Sequence, residues 1–217
     1  MLTILGKENT ILNRFVAELR DMEIQQNPMI FRRNLERIGE VMAYEISKTL
    51  NYRKEIVETP LGEAEMSLPA DEVVLATILR SGLPMHQGFL NYFDSSKSAF
   101  VAAYRHYSKD GSFKIDIESH TAPELAGRVL IITDPMLATG QSIEVAYKKL
   151  VQAGGEPDFT HIATVIASED GVDYVKKHFP ANKTHIWAAA VDSELTVKSY
   201  IVPGIGDTGD LAFGEKI

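Results

Sequence analysis

The sequence predicts an α/β fold with a mostly parallel central sheet and helices on both faces. Two strand-loop-helix units carry this prediction. The apolar run Val73–Leu79 is followed by a polar turn and a helical pattern from Leu83 to Phe93, and the run Val129–Thr133 is followed by one from Ser142 to Val151. Continuous apolar runs of this kind are typical of central parallel strands, and their alternation with helices is typical of α/β folds.

The N-terminal part of the chain is predicted to be helical up to about residue 50. Apolar residues recur at helical spacing from Ile11 to Leu19, and a longer apolar stripe runs from Ile30 to about Leu50. Pro28 follows Asn27 and suits the first turn of this second helix. The charged residues between 32 and 40 are expected on the solvated face, and a buried or intersubunit role for part of the stripe stays open.

The central part of the chain predicts further strands and one hairpin. Arg53–Thr59 and Ala99–Tyr107 have the composition of strands, and residues 113–118 alternate as an exposed strand does. Asp110-Gly111 indicates a turn between the last two, which predicts a hairpin hood at about residues 105–123. After the helix at residues 142–151 we expect, in order, a strand at 159–167, a helix at 172–179 and a strand at 185–191.

Composition excludes several classes of protein. The net charge of −8 over 217 residues argues against nucleic-acid binding, which needs a basic face. The absence of cysteine excludes disulfides and thiolate metal sites and is consistent with a cytoplasmic protein. No secretory signal begins the chain, and no apolar run is long enough for a membrane span. We expect a single cytoplasmic domain over residues 1–217, without nucleic-acid or membrane partners.

The stretch from Val129 to Ser142 is the strongest chemical signal. A buried strand ends at Asp134, and a short turn with Thr139 and Gly140 leads directly into a helix. The unpaired N–H groups at a helix start suit a phosphate. A neighbouring carboxylate can accept hydrogen bonds from sugar hydroxyls or bind a magnesium-bound water. An ordinary turn whose hydroxyls merely cap the helix is the alternative interpretation of this stretch alone.

Two other stretches are expected at the same edge of the sheet. Arg80-Ser81-Gly82 follows the strand Val73–Leu79, and ligands of open α/β sheets bind outside the carboxyl ends of strands. The tail at about residues 200–217 contains Gly204, Gly206 and Gly209 together with Asp207 and Asp210. Glycines at these positions after a β-rich segment favour backbone held close to a ligand over a disordered tail.

The combined motifs resemble the uracil phosphoribosyltransferase family of type I phosphoribosyltransferases. The resemblance extends from Asn27 to the C-terminus and is carried by Ile78-Leu79-Arg80-Ser81-Gly82-Leu83-Pro84-Met85, Tyr104-Arg105, Asp134-Pro135-Met136-Leu137-Ala138-Thr139-Gly140 and Tyr200-Ile201-Val202-Pro203-Gly204-Ile205-Gly206-Asp207-Thr208-Gly209-Asp210. Most type I enzymes have two adjacent acids where this chain has Asp134-Pro135. The tail is the part that is specific to this one family.

The resemblance implies an activity and a set of site residues. Members transfer 5-phosphoribose from phosphoribosyl diphosphate to N1 of uracil, with Mg²⁺ present, and give UMP and diphosphate. The implied catalytic residues are Arg80, Asp134 and Asp207. The implied contacts to phosphoribosyl diphosphate are Arg80, Arg105, Asp134, Pro135, Met136, Leu137, Ala138, Thr139, Gly140, Gln141, Ser142 and Asp207. The implied contacts to uracil, largely through main chain, are Ile201, Gly206, Asp207 and Thr208. Mg²⁺ is expected to reach the protein through substrate and water rather than through direct ligands.

The chain departs from the family pattern at several positions. Gln141 adds a side chain beside the phosphate loop where Gly is usual, and it either points outward or donates a hydrogen bond. Thr208 replaces Ala and narrows the base pocket. Ser81, Pro84 and the segment Ser168-Glu169-Asp170-Gly171 also differ from the usual residues.

Two alternatives to uracil salvage follow from these considerations. One is a protein with the same fold that senses a nucleotide without turnover, and the other is a phosphoribosyltransferase for another base. The retained Arg80, Asp134, Gly140 and Asp207 favour the enzyme. The resemblance also implies a homodimer or a higher homo-oligomer, and it leaves the size of the assembly and activation by GTP open.

Overall fold

The computed structural model describes residues 1–107 and 113–215, and the side chains of residues 104–107 and 113–116 are outside this description. Its helices are α1 (Ile11–Arg20), α2 (Pro28–Ser47), α3 (Leu83–Leu90), α4 (Gln141–Gly154), α5 (Glu169–His178) and α6 (Thr208–Phe213). Its strands are β1 (Leu2–Ile4), β2 (Tyr52–Thr59), β3 (Gly62–Pro69), β4 (Val73–Leu79), β5 (Lys97–Tyr107), β6 (Phe113–Thr121), β7 (Val129–Thr133), β8 (Met136–Leu137), β9 (Phe159–Ser168), β10 (Thr184–Asp192), β11 (Glu194–Leu195) and β12 (Ile201–Val202).

The main sheet has the strand order β1-β10-β9-β7-β4-β5-β6, and the short β8 pairs with β9 beyond the end of β7. All neighbouring strands on this path are parallel except β5 and β6. This architecture confirms the predicted α/β fold with a mostly parallel sheet. The carboxyl ends of β4, β7, β9 and β10 therefore lie along one edge of the sheet, where ligands of such folds bind.

Helices cover both faces of the sheet and form two cores. Val73, Leu75 and Ile131 face α1, α2 and α3, whereas Val74 and Ile132 face α4 and α5. Side chains alternate along a strand, so a central strand with both faces covered must be apolar throughout. Burying one large aliphatic side chain contributes about 1.5–3 kcal/mol. The two cores thus explain the uninterrupted apolar runs in the sequence.

The N-terminal segment contains the two predicted helices and a strand that was not predicted. Asn27 caps α2 by accepting hydrogen bonds from the amides of Met29 and Ile30, and Pro28 occupies the first turn as expected. Strand β1 pairs in parallel with β10, and the terminal amine of Met1 donates to Thr184 O at 3.0 Å. Three residues are too few to show a periodicity, so only the pairing partner makes this segment a strand.

Two hairpins flank the middle of the chain and differ in their surroundings. Strands β2 and β3 form a separate two-stranded sheet that is exposed on both sides. Only β2 was predicted. Strand β3 alternates polar and apolar residues from Glu63 to Leu68, but its glycine, glutamates, alanine and proline are residue types that strands disfavour. Strands β5 and β6 pair at the edge of the main sheet, with Arg105 opposite Ile115, and their turn at residues 108–112 is outside the described part of the chain.

The helices that follow β4 begin and end close to the predicted positions. Helix α3 ends at Leu90, three residues before the predicted end, and α5 begins at Glu169, three residues before its predicted start. Ser168 causes the early start of α5, because its hydroxyl accepts a hydrogen bond from the amide of Gly171 at 2.8 Å. Within the described residues, no helix is sufficiently long and apolar to cross a membrane.

Candidate active site

The loop between β7 and α4, residues 134–140, is held on its neighbours by backbone pairing. The amide of Asp134 donates to Ala163 O at 3.1 Å, and Pro135 O accepts hydrogen bonds from the amides of Val165 and Ile166. Strand β8 then continues along β9 in parallel register. Proline at position 135 therefore keeps the acceptor that this pairing needs. Asp134 is buried to 93%, and one carboxylate oxygen accepts a hydrogen bond from the amide of Met136 at 3.4 Å.

Gly140 and the start of α5 fix the shape of this loop. Gly140 has a φ of +78°, and a Cβ there would lie 2.7 Å from Cδ1 of Tyr174. The hydroxyl of Ser168 donates to Ala138 O, so this residue joins the loop to the first turn of α5. Gly171 is needed for the same contact, because a Cβ there would lie 2.5 Å from Ala138 O. The serine that departs from the family pattern is thus a connection between the loop and the helix.

The amino end of α4 faces the loop and, among the described residues, no side chain caps it. Its first-turn amides are therefore directed toward the position that a phosphate would occupy. Glu144 lies in this turn and binds Lys148 and Tyr174, each at 2.6 Å. Burial of Glu144 acts to raise its pKa, and these two hydrogen bonds outweigh burial and lower the pKa below its ordinary value. The Glu144 carboxylate therefore stays ionised and occupied by its own partners.

Arg80 lies at the carboxyl end of β4, after a cis Leu79–Arg80 peptide bond. Its Nη2 donates to Asp210 Oδ1 at 2.9 Å and to Gly214 O at 3.1 Å. Its Nε is buried and has no hydrogen-bond partner among the described residues. A buried N–H without a partner is costly in a folded protein, and such groups are found where a ligand binds. The Nε of Arg80 is therefore a donor that the described residues leave unsatisfied.

A pair of threonines sets the spacing between Arg80 and Asp134. Thr77 on β4 donates its hydroxyl to Thr133 O at 3.2 Å, and Thr133 on β7 donates to Ala76 O at 3.1 Å. Both side chains are fully buried. Because buried hydroxyls need partners, this reciprocal pair locks the ends of the two strands together. Gly82 is required beside them, since a Cβ there would lie 2.1 Å from the Thr77 hydroxyl.

The tail follows a cis Val202–Pro203 bond and returns over the carboxyl ends of the strands before it enters α6. Asp207 caps α6 by accepting a hydrogen bond from the amide of Asp210 at 3.0 Å, and its other oxygen accepts one from the Tyr200 hydroxyl at 3.4 Å. Gly206 has a φ of +78°, a conformation that favours glycine. The tail is therefore an ordered loop-helix segment that meets Arg80 through Asp210.

These three stretches enclose a cavity of about 400 Å³. Most of the residues that the sequence assigned to the site line it, namely Arg80, Asp134, Met136, Leu137, Ala138, Thr139, Gly140, Ser142, Gly206, Asp207 and Thr208. Three assigned residues do not line it: Pro135, Gln141 and Ile201. The Arg105 side chain lies outside the described residues. The geometry thus brings the diphosphate, ribose and base stretches of the sequence to one cavity.

The three assigned residues away from the cavity have clear positions. Pro135 is engaged with β9, as described above. Gln141 is the first residue of α4, is half-buried, and is not among the residues that line the cavity. The Ile201 side chain is 4% exposed and packs in the core under α1 and α2, which leaves only its main chain for contact with a base.

Several residues of the cavity were not assigned from the sequence. Ser81, Ser199, Tyr200, Gly209 and Asp210 also line it. Four of them, Ser81, Tyr200, Gly209 and Asp210, belong to motifs already recognised in the sequence, and Ser199 directly precedes the last motif. The contact of Asp210 with Arg80, 130 residues away, was not predicted. The sequence signal available for Asp210 was its position as a carboxylate at a helix start in a glycine-rich tail. Its partner could not be identified without the fold.

The cavity has the groups that a phosphorylated sugar with a diphosphate requires. An uncapped helix start and a guanidinium provide two separate anion sites. The nearly buried Asp134 directly follows β7, which pairs with the strand that precedes Arg80. The loop around Gly206 adds main-chain donors and acceptors within the same cavity. The arrangement can bind a polyanion at two points and present a planar ligand beside it.

Comparisons with known proteins agree with this geometry. A family model described as uracil phosphoribosyltransferase matches residues 7–215. A uracil phosphoribosyltransferase of Porphyromonas gingivalis is 57% identical over 98% of both chains, and that of Pyrococcus furiosus is 34% identical over 97% of this chain and 89% of its own. The solved AQ2163 protein of Aquifex aeolicus superposes over 100% of both chains with a TM-score of 0.88 and 27% identity. The chain therefore belongs to the uracil phosphoribosyltransferase family.

Proposed function

We propose that this protein transfers 5-phosphoribose from phosphoribosyl diphosphate to N1 of uracil, giving UMP and diphosphate in pyrimidine salvage. The observation that carries the proposal is the single cavity in which Arg80, Asp134 and the Gly206–Thr208 loop meet. Family membership supports the reaction type and both substrates. The absence of cysteine supports a reducing, cytoplasmic setting for this activity.

We assign the binding of the 5′-phosphoribose group to the phosphate loop, which is the loop at residues 134–140 between β7 and α4. The uncapped start of α4 with Thr139, Gly140 and Ser142 would hold the 5′-phosphate by backbone amides and hydroxyls. Asp134 would accept hydrogen bonds from the ribose hydroxyls, as its ionised form is an acceptor only. Because the loop is pinned to β9 and α5, these groups would be in place before the substrate arrives. Such preorganisation lowers the cost of binding and of reaction.

We assign the binding of the departing diphosphate to Arg80. The bond from ribose C1 to the diphosphate oxygen breaks with positive charge on the ribose ring, as in other glycosyl transfers, and negative charge accumulates on the leaving group. A guanidinium binds phosphate oxygens in a paired geometry that an ammonium does not reproduce. In this role Nη2 would exchange its hydrogen bonds to Asp210 and Gly214 for phosphate oxygens of the diphosphate. Arg105 of the family motif is assigned to the same group.

Mg²⁺ fits the residues at the cavity. No group of three or more His, Asp or Glu side chains in the described part of the chain is placed to hold a metal ion by itself. Mg²⁺ in phosphate-binding sites usually keeps several waters and uses one or two carboxylates together with the substrate phosphates. Asp207 and Asp134 line the cavity and would bind its water shell. When bound, the ion would offset the charge of the diphosphate.

We assign the binding of the base to the tail. Gly206, Asp207 and Thr208 line the cavity, and the side chain of Ile201 supports this loop from the core. Uracil differs from cytosine in its pattern of carbonyl and N–H groups at the ring edge. A main-chain site that pairs with one pattern would leave buried polar groups unpaired with the other, which rejects the wrong base.

A homodimer or a higher homo-oligomer is part of the proposal. The β2–β3 hairpin exposes apolar side chains, with Ile56 61% and Leu61 100% exposed, and it has no core of its own. An isolated two-stranded hairpin is marginally stable in water. Its burial against a second copy would remove this apolar surface from water. Light scattering should therefore give at least twice the chain mass, and Ile56→Glu with Leu61→Glu should lower that mass.

The activity is tested directly by incubating the purified protein with phosphoribosyl diphosphate, Mg²⁺ and uracil and quantifying UMP and diphosphate. Parallel reactions with cytosine and with purine bases test the alternative of another base. We expect UMP in equal amount to diphosphate and no product with the other bases. Turnover of another base but not of uracil would replace the proposed substrate. Tight binding of phosphoribosyl diphosphate without any product would instead indicate a sensing protein.

A further inference from the structure

The loop that carries the base site is held by an ion pair from outside the site. Arg20, the last residue of α1, forms a bidentate pair with Asp192, the last residue of β10. Its Nη1 and Nη2 lie 2.8 Å from Oδ2 and Oδ1, respectively. Neither residue lines the cavity. The pair therefore has no direct access to a substrate.

Both residues also bind the main chain of one residue of the tail, Gly204. Arg20 Nη1 donates to Gly204 O at 2.9 Å, and the amide of Gly204 donates to Asp192 Oδ2 at 2.9 Å. Gly204 has a φ of +58°, and a Cβ there would lie 2.1 Å from Ile201 O. Two charged side chains thus bind the N–H and the C=O of Gly204, and the backbone conformation of this residue is one that favours glycine.

The pair is sufficiently buried to matter energetically. The Asp192 side chain is 8% exposed and that of Arg20 is 26% exposed. Burial acts to raise the pKa of Asp192, and the hydrogen bonds from Arg20 and from the Gly204 amide outweigh burial, so its pKa is lowered. The carboxylate therefore stays charged. Removing either partner would leave the other charge buried and unpaired, which is strongly destabilising at this position.

The position of Gly204 connects this pair to the base site. Gly206, two residues later, is the first residue of the loop that lines the cavity, and Asp207 follows it. We propose that Arg20 and Asp192 are positioning residues, which hold the loop at residues 203–208 in the form that binds the base. The inference rests on the proposed function, because that function assigns this loop to uracil.

The test is a kinetic comparison of Arg20→Gln, Arg20→Lys and Asp192→Asn with a matched control, Arg14→Gln. Arg14 lies on the same helix and forms an exposed pair with Glu18, away from the tail. We expect Arg20→Gln and Asp192→Asn to raise the KM for uracil about tenfold. Their kcat and the KM for phosphoribosyl diphosphate should change by less than about threefold. The lost contacts bind uracil equally in the ground state and in the transition state, so their loss raises the KM for uracil without lowering kcat. Arg20→Lys should recover part of the loss, and Arg14→Gln should match the parent protein.

A second measurement reads the loop without catalysis. Hydrogen exchange of the amides at residues 204–208 should be faster in Arg20→Gln than in the parent protein and unchanged in Arg14→Gln. An unchanged exchange rate of the tail in Arg20→Gln would overturn the inference, as would an equal rise of the KM for both substrates. A parent protein that makes no UMP would refute the proposed function, and the exchange measurement would still decide whether this pair positions the loop.

Discussion

Two loops meet in one cavity and are stabilised in different ways: the phosphate loop at residues 134–140 and the base loop at residues 203–208. The phosphate loop is held by nearby parts of the chain, because Ser168 reaches Ala138 across 30 residues. The base loop is held from afar, because Arg20 reaches Gly204 across 184 residues. A site can thus combine a local supersecondary motif with a segment whose shape depends on the entire chain. We expect perturbations of the two loops to separate the two substrates.

Arg80 lines the cavity together with both loops, and its replacement should have the largest effect. Arg80→Lys keeps the charge and removes the planar fork, so both the diphosphate contact and the pair with Asp210 are weakened. We expect kcat/KM for phosphoribosyl diphosphate to fall about 100-fold, the size seen when a donor to developing charge is removed. Steady-state kinetics with each substrate varied would measure this effect.

Arg128→Lys is the control for this change. Arg128 precedes β7 at the opposite end of the sheet and pairs with Glu72 and Glu124. Its replacement should leave both KM values and kcat unchanged. Equal losses in the two lysine variants would mean that Arg80 contributes charge and stability rather than contact with the substrate.

Acid should weaken the sheet that carries both loops. His161 on β9 is 2% exposed, and burial lowers its pKa to about 3. Between that value and about 6.5, the unfolded chain binds a proton that the folded protein does not, so stability falls as the pH falls below about 6.5. At pH 5 the loss from this one residue is about 2 kcal/mol.

Urea unfolding at pH 7 and pH 5 would measure this loss in the parent protein and in His161→Gln. Glutamine does not titrate, and its carbonyl can accept the hydrogen bond that Trp187 Nε1 now donates to His161 Nδ1 at 3.0 Å. We expect a smaller pH dependence in this variant and the parent dependence in His120→Gln, a change at an exposed position on β6. An identical pH dependence in all three proteins would refute the assignment to His161.

Gly140→Ala should damage the phosphate loop alone. The added methyl group would meet Tyr174 at 2.7 Å in a backbone conformation with φ of +78°. We expect the KM for phosphoribosyl diphosphate to rise about tenfold while the KM for uracil changes little. Gly127→Ala is the matched control, because Gly127 has a φ of +74° and no atom within 4 Å of the added group. Both variants carry the same backbone strain, and only the first should alter kinetics.

Ser168→Ala should have the smallest effect of the four changes. It removes the hydroxyl that donates to Ala138 O and accepts from the amide of Gly171. We expect a loss of about 1–2 kcal/mol in the free energy of unfolding, as for other buried caps. The KM for phosphoribosyl diphosphate should rise and that for uracil should not. A larger effect on uracil would contradict the local character of the phosphate loop.

The sequence predicted the central strands of the sheet well because they are buried on both faces. Val73–Leu79 and Val129–Thr133 were predicted with their observed bounds, since a central parallel strand leaves no polar position to blur its ends. It did not predict β1 or β3. These strands form by pairing with β10 and β2, respectively. Strand β1 is too short to show a periodicity, and the alternation of β3 from Glu63 to Leu68 involves residue types that strands disfavour.

The site was predictable to the extent that its residues belong to continuous motifs. Asp134 and Gly140 stand in one strand-loop-helix unit, where local geometry alone places a carboxylate beside a helix start. Asp210 was in a recognised motif, but its contact with Arg80 was not foreseen. The positions of Gln141 and Ile201 away from the cavity lining were also not visible, because the direction of a side chain depends on the neighbours it packs against.

By itself the sequence determined the fold class, the family and the stretches that form the cavity. Each of these follows from residues close together in the chain, whose periodicity and turn chemistry act locally. Only the tertiary structure decided which charges hold the base loop. Arg20 and Asp192 look like ordinary residues at the ends of a helix and a strand, and 172 residues separate them. Their role arises only when folding buries the pair against Gly204, because an ion pair gains its strength from the partners and the burial that the fold provides.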